Sequence, residues 1–331
     1  MHGPDHDDLT VRLRPGRPSG GGAARRRALV IAAALAALLA VLGAGGFAWQ
    51  AWRSAPAPRG AAHFAIRDAT EAQILANDAG ALTVFRFIPN PRVLVLDFAS
   101  LHTQAQMLNR VAALTEKSGL PRDRLLDDAA LASAIRAAGE TPDTYYYGHD
   151  YSAAELRRFF RLAAADGTVL TAEEQRLREL LAEVGFLRPG ALGAIISIPH
   201  VGADKLVDRG ARATILHHEL SHGEYFSNPV YAEYVHQFWR GAMQPADRAA
   251  FTRFLASEAY DGSDLDLMMN ETQAYLMHTP DPRFFNAASV GMSEAALDRL
   301  RTVFLRGMPP GWLRDDTHVP PVPPAAAAAS R

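Results

Sequence analysis

The spacing of apolar residues predicts a chain of many helices and a few strands. Apolar runs of β-type composition at 81–87 and 93–98 flank Pro89-Asn90-Pro91, which predicts a hairpin. The run at 194–199 predicts a third strand. Apolar residues recur at helical spacing at about 101–117, 122–138, 152–165, 171–185, 213–225, 229–242, 245–259, 264–278 and 293–306. These elements predict an α+β fold that is mostly helical and has a small β-sheet.

The longest uncharged stretch lies near the N-terminus. Residues 28–49 contain no charged side chain, and a helix of this length spans roughly 33 Å, enough to cross a bilayer core. Three arginines at 25–27 precede it, so the positive-inside rule predicts a cytoplasmic N-terminus and an extracytoplasmic remainder. A cleavable signal peptide is the alternative. The uncleaved single-pass anchor is favoured because signal peptides have shorter apolar cores.

One predicted helix carries two histidines and a glutamate. In His218-Glu219-Leu220-Ser221-His222 the outer residues are four positions apart, so both imidazoles lie on one helix face and reach one tetrahedral metal ion. Glu219 lies one position round the helix, near the ion but outside its coordination shell. A carboxylate there can accept a proton from water that the metal activates. The neighbouring residues on this side of the helix are apolar, which argues against a chance occurrence of the motif on an exposed helix.

A catalytic zinc usually has three protein ligands, so one more is expected. The extended motif with a third histidine six residues after the second is excluded, because Tyr225 and Asn228 occupy its glycine and histidine positions. Glu271 is favoured, since it follows Asn270 within an apolar helical run and a carboxylate there calls for a cation. Other carboxylates remain as alternatives: Glu224, Glu233, Glu258, Asp261, Asp264 and Asp266.

These two segments resemble the gluzincin branch of zinc metallopeptidases. The resemblance covers about fifteen residues around His218 and about ten around Glu271. It implies one zinc ion per chain on His218, His222 and Glu271, with Glu219 as general base and acid. It departs from the family at Tyr275, where many gluzincins have an aspartate that holds the first histidine. The resemblance also implies a zincin-like fold in which the substrate pairs with an edge strand, and 194–199 is the candidate for that strand.

Further side chains near the motif are candidates for supporting roles. His217 and Asn270 neighbour the expected ligands, and Tyr225 returns to the metal-facing side of its helix after two turns. Tyr275 and His278 lie one and two turns beyond Glu271. A tyrosine or histidine at such a position can donate a hydrogen bond to a developing oxyanion, although packing would also explain each. The aromatic run 145–150 is interpreted as a partly exposed loop.

The segments predict five regions. They are a cytoplasmic disordered arm at 1–27, a transmembrane helix at 28–49, a linker at 50–62, a zincin-like metallopeptidase domain at 63–316 and a low-complexity tail at 317–331. The formal net charge of −2 shows no excess of basic residues of the kind that nucleic-acid-binding proteins have. The absence of cysteine excludes a disulfide framework.

The expected function follows from the anchor and the motif. We expect a membrane-anchored zinc endopeptidase of a bacterial cytoplasmic membrane that acts on protein or peptide substrates. A zinc hydrolase of a non-peptide amide, such as a cell-wall component, is one alternative. A non-catalytic zinc-binding envelope protein is another, although a structural site has no use for Glu219.

Overall fold

A computed structural model describes residues 64–78 and 80–317. Helices hold 55% of them and the remainder includes one five-stranded sheet, which confirms the predicted mostly helical fold with a small sheet. The predicted arm, span and linker, and the tail beyond Thr317, lie outside the described residues. Within the described ranges, no helix is long and apolar enough to cross a membrane.

The sheet has the strand order β1-β2-β3-β5-β4. The predicted hairpin is confirmed, since β2 and β3 pair antiparallel. β5 runs parallel to β3 and antiparallel to β4. The prediction that 194–199 is an edge strand is therefore wrong. All six of its residues are buried between two neighbours, and β4 forms that edge instead. The strands are β1 (Ile66–Ala69), β2 (Thr83–Phe87), β3 (Val93–Phe98), β4 (His149–Ser152) and β5 (Ala194–Pro199).

The nine predicted helical segments are all present with ends moved by a few residues, whereas the short helices at 71–75 and 312–315 were not predicted. The largest shift is at the segment predicted from 122, where the helix begins only at Asp128 because the Asp127 side chain caps it. The helices are α1 (Glu71–Leu75), α2 (Leu101–Thr115), α3 (Asp128–Ala137), α4 (Ala153–Asp166), α5 (Ala172–Glu183), α6 (Arg209–Ser227), α7 (Pro229–Gln237), α8 (Pro245–Ser257), α9 (Leu265–His278), α10 (Glu294–Gly307) and α11 (Trp312–Asp315). A π-helical turn (Phe238–Ala242) follows α7, and a 3₁₀ turn (Ala287–Val290) precedes α10.

Both faces of the sheet are covered, which explains why the interior strands β3 and β5 are largely apolar. On β3, Leu94 and Leu96 pack with α2, α4 and α5, whereas Val93 and Val95 face α6. Successive residues of a strand point to opposite faces, so a strand buried on both sides has no polar positions to alternate with. A separate apolar core joins the C-terminal end of α6 to the helices that follow it.

Helix α6 lies directly against the sheet and carries the histidine motif. It begins at a cap in which the Asp208 side chain accepts from the Ala211 amide. Leu216 and Leu220 face the sheet and are fully buried. Gly223 lies so close to Val93 that a Cβ would come within 2.8 Å of it. This close approach holds the motif beneath β5 and β4.

Candidate metal centre

The structure brings together the three residues expected to bind a metal. The Nε2 atoms of His218 and His222 are 3.1 Å apart. Oε2 of Glu271 lies 3.9 Å from the first and 3.8 Å from the second. Ligand atoms bound tetrahedrally at about 2.0–2.2 Å from zinc are roughly 3.3–3.5 Å apart. The spacing of the three atoms therefore fits one zinc ion among them.

Hydrogen bonds fix the tautomer of both histidines. The Thr279 hydroxyl donates to the Ala274 carbonyl, so it accepts from Nδ1 of His218 at 2.8 Å. Asn270 Oδ1 accepts from Nδ1 of His222 at 2.9 Å. With the ring proton on Nδ1, each Nε2 has a free lone pair. Both lone pairs point to the space in front of Glu271, as metal ligation requires.

The cluster leaves buried polar atoms without partners. Glu271 is 1% exposed, and its Oε2 has no hydrogen-bond partner among the described residues. Burial lowers the pKa of His222 to about 4, and burial with the neighbouring His222 lowers the pKa of His218 well below its usual range. Two neutral imidazole nitrogens that present lone pairs to each other beside a carboxylate repel one another. A cation among them would satisfy all three atoms.

Glu219 lies beside this cluster without coordinating in it. It is 6% exposed and its Oε2 has no hydrogen-bond partner among the described residues. Burial raises its pKa well above the usual range, and the charge of Glu271 raises it further. A Cβ at position 148 would overlap the Glu219 carboxylate, so Gly148 is required for the chain to pass this close.

Asp150 on β4 joins the site although the sequence did not single it out. It groups with Glu219 and His222 as a second potential ligand set, and its Oδ1 lies 3.8 Å from Nδ1 of His222. That nitrogen already donates to Asn270, so the set with Glu271 is the better metal site. Burial raises the pKa of Asp150 well above its usual range, and Glu219 raises it further. The two carboxyl groups therefore lie close enough to oppose each other's ionisation.

A cleft with a volume of about 510 Å³ opens onto the cluster. His218 and Glu219 line its floor. Its wall is formed by the run 145–148 together with Tyr260 and Tyr275. The interpretation of 145–150 as a partly exposed loop is confirmed for 146–148, but Tyr145 is buried and His149 and Asp150 begin β4. The run is too short and too polar to show a strand pattern in the sequence.

Of the candidate supporting residues, two lie at the cluster. Asn270 holds His222, as described above. The Tyr275 ring is 4.8 Å from the His218 ring and lines the cleft. It does not replace the missing aspartate. Thr279, one turn further along the chain, holds His218 instead.

The other supporting candidates lie away from the ligand atoms. The Tyr225 hydroxyl bonds with His236 and Asp266, because two helical turns carry it past the site to the start of α9. The expectation that it faces the metal is therefore wrong. His278 is fully buried and its Nδ1 lies 3.3 Å from Nε2 of His217. Nδ1 of His217 lies 3.5 Å from Glu71, on a face of α6 that does not line the cleft.

The alternative third ligands have other partners or positions. Asp264 caps α9 and Asp261 pairs with Arg122. Glu224 accepts from Asn90, Asn228 and the Trp312 indole. Glu258 lines the cleft, but it belongs to neither group of potential ligands in the described part of the chain.

Comparisons with known proteins add no identification. No protein-family model matches the chain, and searches of curated proteins and of solved structures found no significant match. The interpretation of the site therefore depends on its own geometry and on the motif resemblance.

Proposed function

We propose that this chain is a zinc-dependent hydrolase of peptide bonds. The observation that carries the proposal is the convergence of His218 Nε2, His222 Nε2 and Glu271 Oε2 within 3.1–3.9 Å, with both histidine tautomers set for ligation. Two nitrogens and one oxygen form the usual donor set of a catalytic zinc that keeps one open position. When bound, zinc would supply a Lewis acid that polarises a carbonyl and lowers the pKa of a water molecule.

Glu219 supplies the proton transfers in this proposal. Its carboxylate is buried beside the ligand atoms, faces the cleft and has an oxygen free of hydrogen bonds. It accepts the proton of the attacking water and then delivers it to the nitrogen of the leaving amine. Burial and the charge of Glu271 raise the pKa of Glu219, which makes its carboxylate a stronger base for the first step than an exposed glutamate.

The arrangement of sheet and helix supports a zincin-like description. α6 lies under a sheet whose antiparallel edge strand, β4, borders the cleft through Asp150. An extended peptide could add to that edge by main-chain hydrogen bonds and present its amide above Glu219. The edge strand expected from the family is then β4 rather than β5.

The proposal includes the anchor inferred from residues 28–49. A single-pass helix with a cytoplasmic N-terminus would hold the cleft on the outer side of the cytoplasmic membrane, near envelope or secreted chains. A C-terminal alkaline phosphatase fusion would be active with this orientation, and a fluorescent protein that matures only in the cytoplasm would stay dark. The opposite pair of results would reverse the topology without changing the chemistry.

The test of the chemistry combines metal analysis with cleavage. The full-length protein should contain close to one zinc ion per chain and should cleave casein or a peptide library. His218→Ala, His222→Ala and Glu271→Ala should each lose most of the metal, while Asp264→Ala, which removes only a helix cap, should keep it. Full zinc in Glu271→Ala together with loss in Asp264→Ala would refute the ligand set.

A further inference from the structure

Lys117 is a cation in the cleft that the hydrolytic chemistry does not use. Its Nζ lies 4.2 Å from the centre of the Tyr146 ring and 4.9 Å from that of Tyr145. The Tyr260 ring is 5.9 Å away on another side. Rings at these distances attract an ammonium group and fix its position. A ring face does not take the place of a carboxylate acceptor, and Lys117 lines the open cleft.

No described residue forms a hydrogen bond or an ion pair with the Lys117 ammonium. The other cation that lines the cleft, Arg283, is held by Asp208 and Asp281 in hydrogen bonds of 2.6–3.1 Å. Burial lowers the pKa of Lys117, while Glu116 and three other carboxylates raise it. Lys117 is thus the cation of the cleft that has no carboxylate partner among the described residues.

Lys117 is also close to the metal ligands. The Lys117 ammonium lies 5.9 Å from the centre of the Tyr260 ring, and both residues line the cleft beside His218 and Glu219. Burial raises the pKa of Glu271, and the charge of Lys117 acts in the opposite direction. A substrate held by the ammonium therefore shares the cleft with the proposed metal site.

We propose that Lys117 binds a carboxylate of the substrate, so that a negatively charged group of the substrate lies in the same cleft as the amide that is cleaved. This inference depends on the proposed hydrolytic function and names the substrate class for it. A carboxylate fits better than a phosphate group, because Glu140 and Glu258 also line the cleft and would repel a doubly charged anion more strongly. The carboxylate can be the C-terminus of a peptide or the side chain of an aspartate or glutamate.

The first test measures hydrolysis by the full-length, zinc-loaded protein. Peptides of one apolar core sequence would carry a C-terminal carboxylate, a C-terminal carboxamide, or a carboxamide with one internal glutamine replaced by glutamate. If Lys117 forms a charge-assisted contact, one of the two peptides with a carboxylate should have a kcat/KM about ten- to hundredfold higher than the neutral carboxamide peptide. Preference for the free C-terminus identifies a main-chain carboxylate, and preference for glutamate identifies a side chain.

Variants of both lysines in the chain connect that preference to Lys117. Lys117→Met keeps the stem against the tyrosines but removes the charge, so the ratio of the two rates should fall close to one. Lys117→Arg should retain part of the ratio. Lys205→Met, an exposed position that does not line the cleft, should retain all of it. The ratio is measured within each variant, so loss of folded protein affects both rates equally and leaves the ratio unchanged.

A binding measurement separates this inference from the proposed function. Titration calorimetry of the same peptides against full-length Glu219→Gln measures affinity without turnover. Tighter binding of a carboxylate form, lost in the double variant with Lys117→Met, would support the inference even if no peptide were ever hydrolysed. Equal affinity and equal hydrolysis of charged and neutral peptides would overturn it while the hydrolase proposal stood. A preference that persists in Lys117→Met would overturn it as well.

Discussion

Helix α6 carries two buried polar clusters that differ in how their atoms are satisfied. Near its start, Arg212 is 2% exposed and donates to both carboxylate oxygens of Asp97 at 2.9 Å. It also donates to the carbonyls of Ile74 and Pro199. One and a half to three turns later, His218 and His222 present lone pairs to each other beside an oxygen of Glu271 that lacks a partner in the described part of the chain.

The difference indicates what each cluster is for. Arg212 connects α6 to the end of α1, to β3 and to the end of β5, and its partners complete it within the chain. Such a cluster needs nothing from outside. The second cluster has its hydrogen bonds on the outer side of each imidazole only, so its inner side needs a ligand. The convergence of unsatisfied atoms from two helices at one cleft is what separates this cluster from the first.

The largest expected effect concerns the proton-transfer group. Glu219→Gln should keep its zinc and lower kcat/KM for peptide hydrolysis by about 10²- to 10⁴-fold, since the amide cannot accept the proton of water. Glu233→Gln makes the same chemical change on the exposed surface of α7 and should be neutral. Initial-rate assays with metal analysis of the same samples provide the measurement. Wild-type rates in Glu219→Gln would exclude this residue as the base.

A substitution in the cluster of Arg212 and Asp97 should instead lower the stability of the fold. Arg212→Met leaves the Asp97 carboxylate buried without its main partner, which should lower the free energy of unfolding by about 3–5 kcal/mol. Arg209→Met, on the exposed side of the same helix, should change it by about 0.5 kcal/mol or less. Urea unfolding of the zinc-loaded proteins measures both. If Arg212→Met unfolded like the wild type, the contrast between the clusters would be lost.

The outer hydrogen bonds of the metal cluster should control affinity. Thr279→Val keeps the shape of the side chain but removes the acceptor for His218, so zinc affinity should fall by about 10- to 100-fold. Thr272→Val is the matched control, because the Thr272 hydroxyl is buried and forms no hydrogen bond with any residue that the structure describes. Competition with a chelator of known affinity measures the two. Equal losses in both variants would show that the effect is not specific to the His218 contact.

The smallest effect concerns the metal-free protein. Burial raises the folded-state pKa of Glu271, so its contribution is fully present below the unfolded pKa of about 4.3 and is lost as pH rises through the folded value. Glu271→Gln should therefore stabilise the metal-free protein at pH 8 by about 1 kcal/mol, and zinc should reverse the order. Thermal unfolding with and without zinc tests this, with exposed Glu179→Gln as control. Destabilisation by Glu271→Gln in the absence of metal would contradict it.

Local pattern was sufficient for much of the fold. The hairpin of β2 and β3 followed from two apolar runs around a proline-rich turn. Most helices began and ended close to their predicted limits because their caps are sequence-local, as at Ser152 with Glu155 before α4. The position of β5 in the sheet could not be predicted from local pattern. An apolar run predicts burial, but an interior and an edge position depend on which distant strands pair with it.

By itself the sequence determined the part of the site that lies within one helical turn. His218 and His222 share a face because the helix repeat places residues four apart together, and that holds wherever the helix packs. The tertiary structure decided everything that comes from other segments. Of the seven candidate carboxylates, only Glu271 lies with both histidines in the described part of the chain. Thr279 holds His218 where many gluzincins use an aspartate, and Asp150 and Lys117 line the cleft. Contacts between residues distant in the chain depend on how sheet and helices pack, and no local spacing encodes that packing.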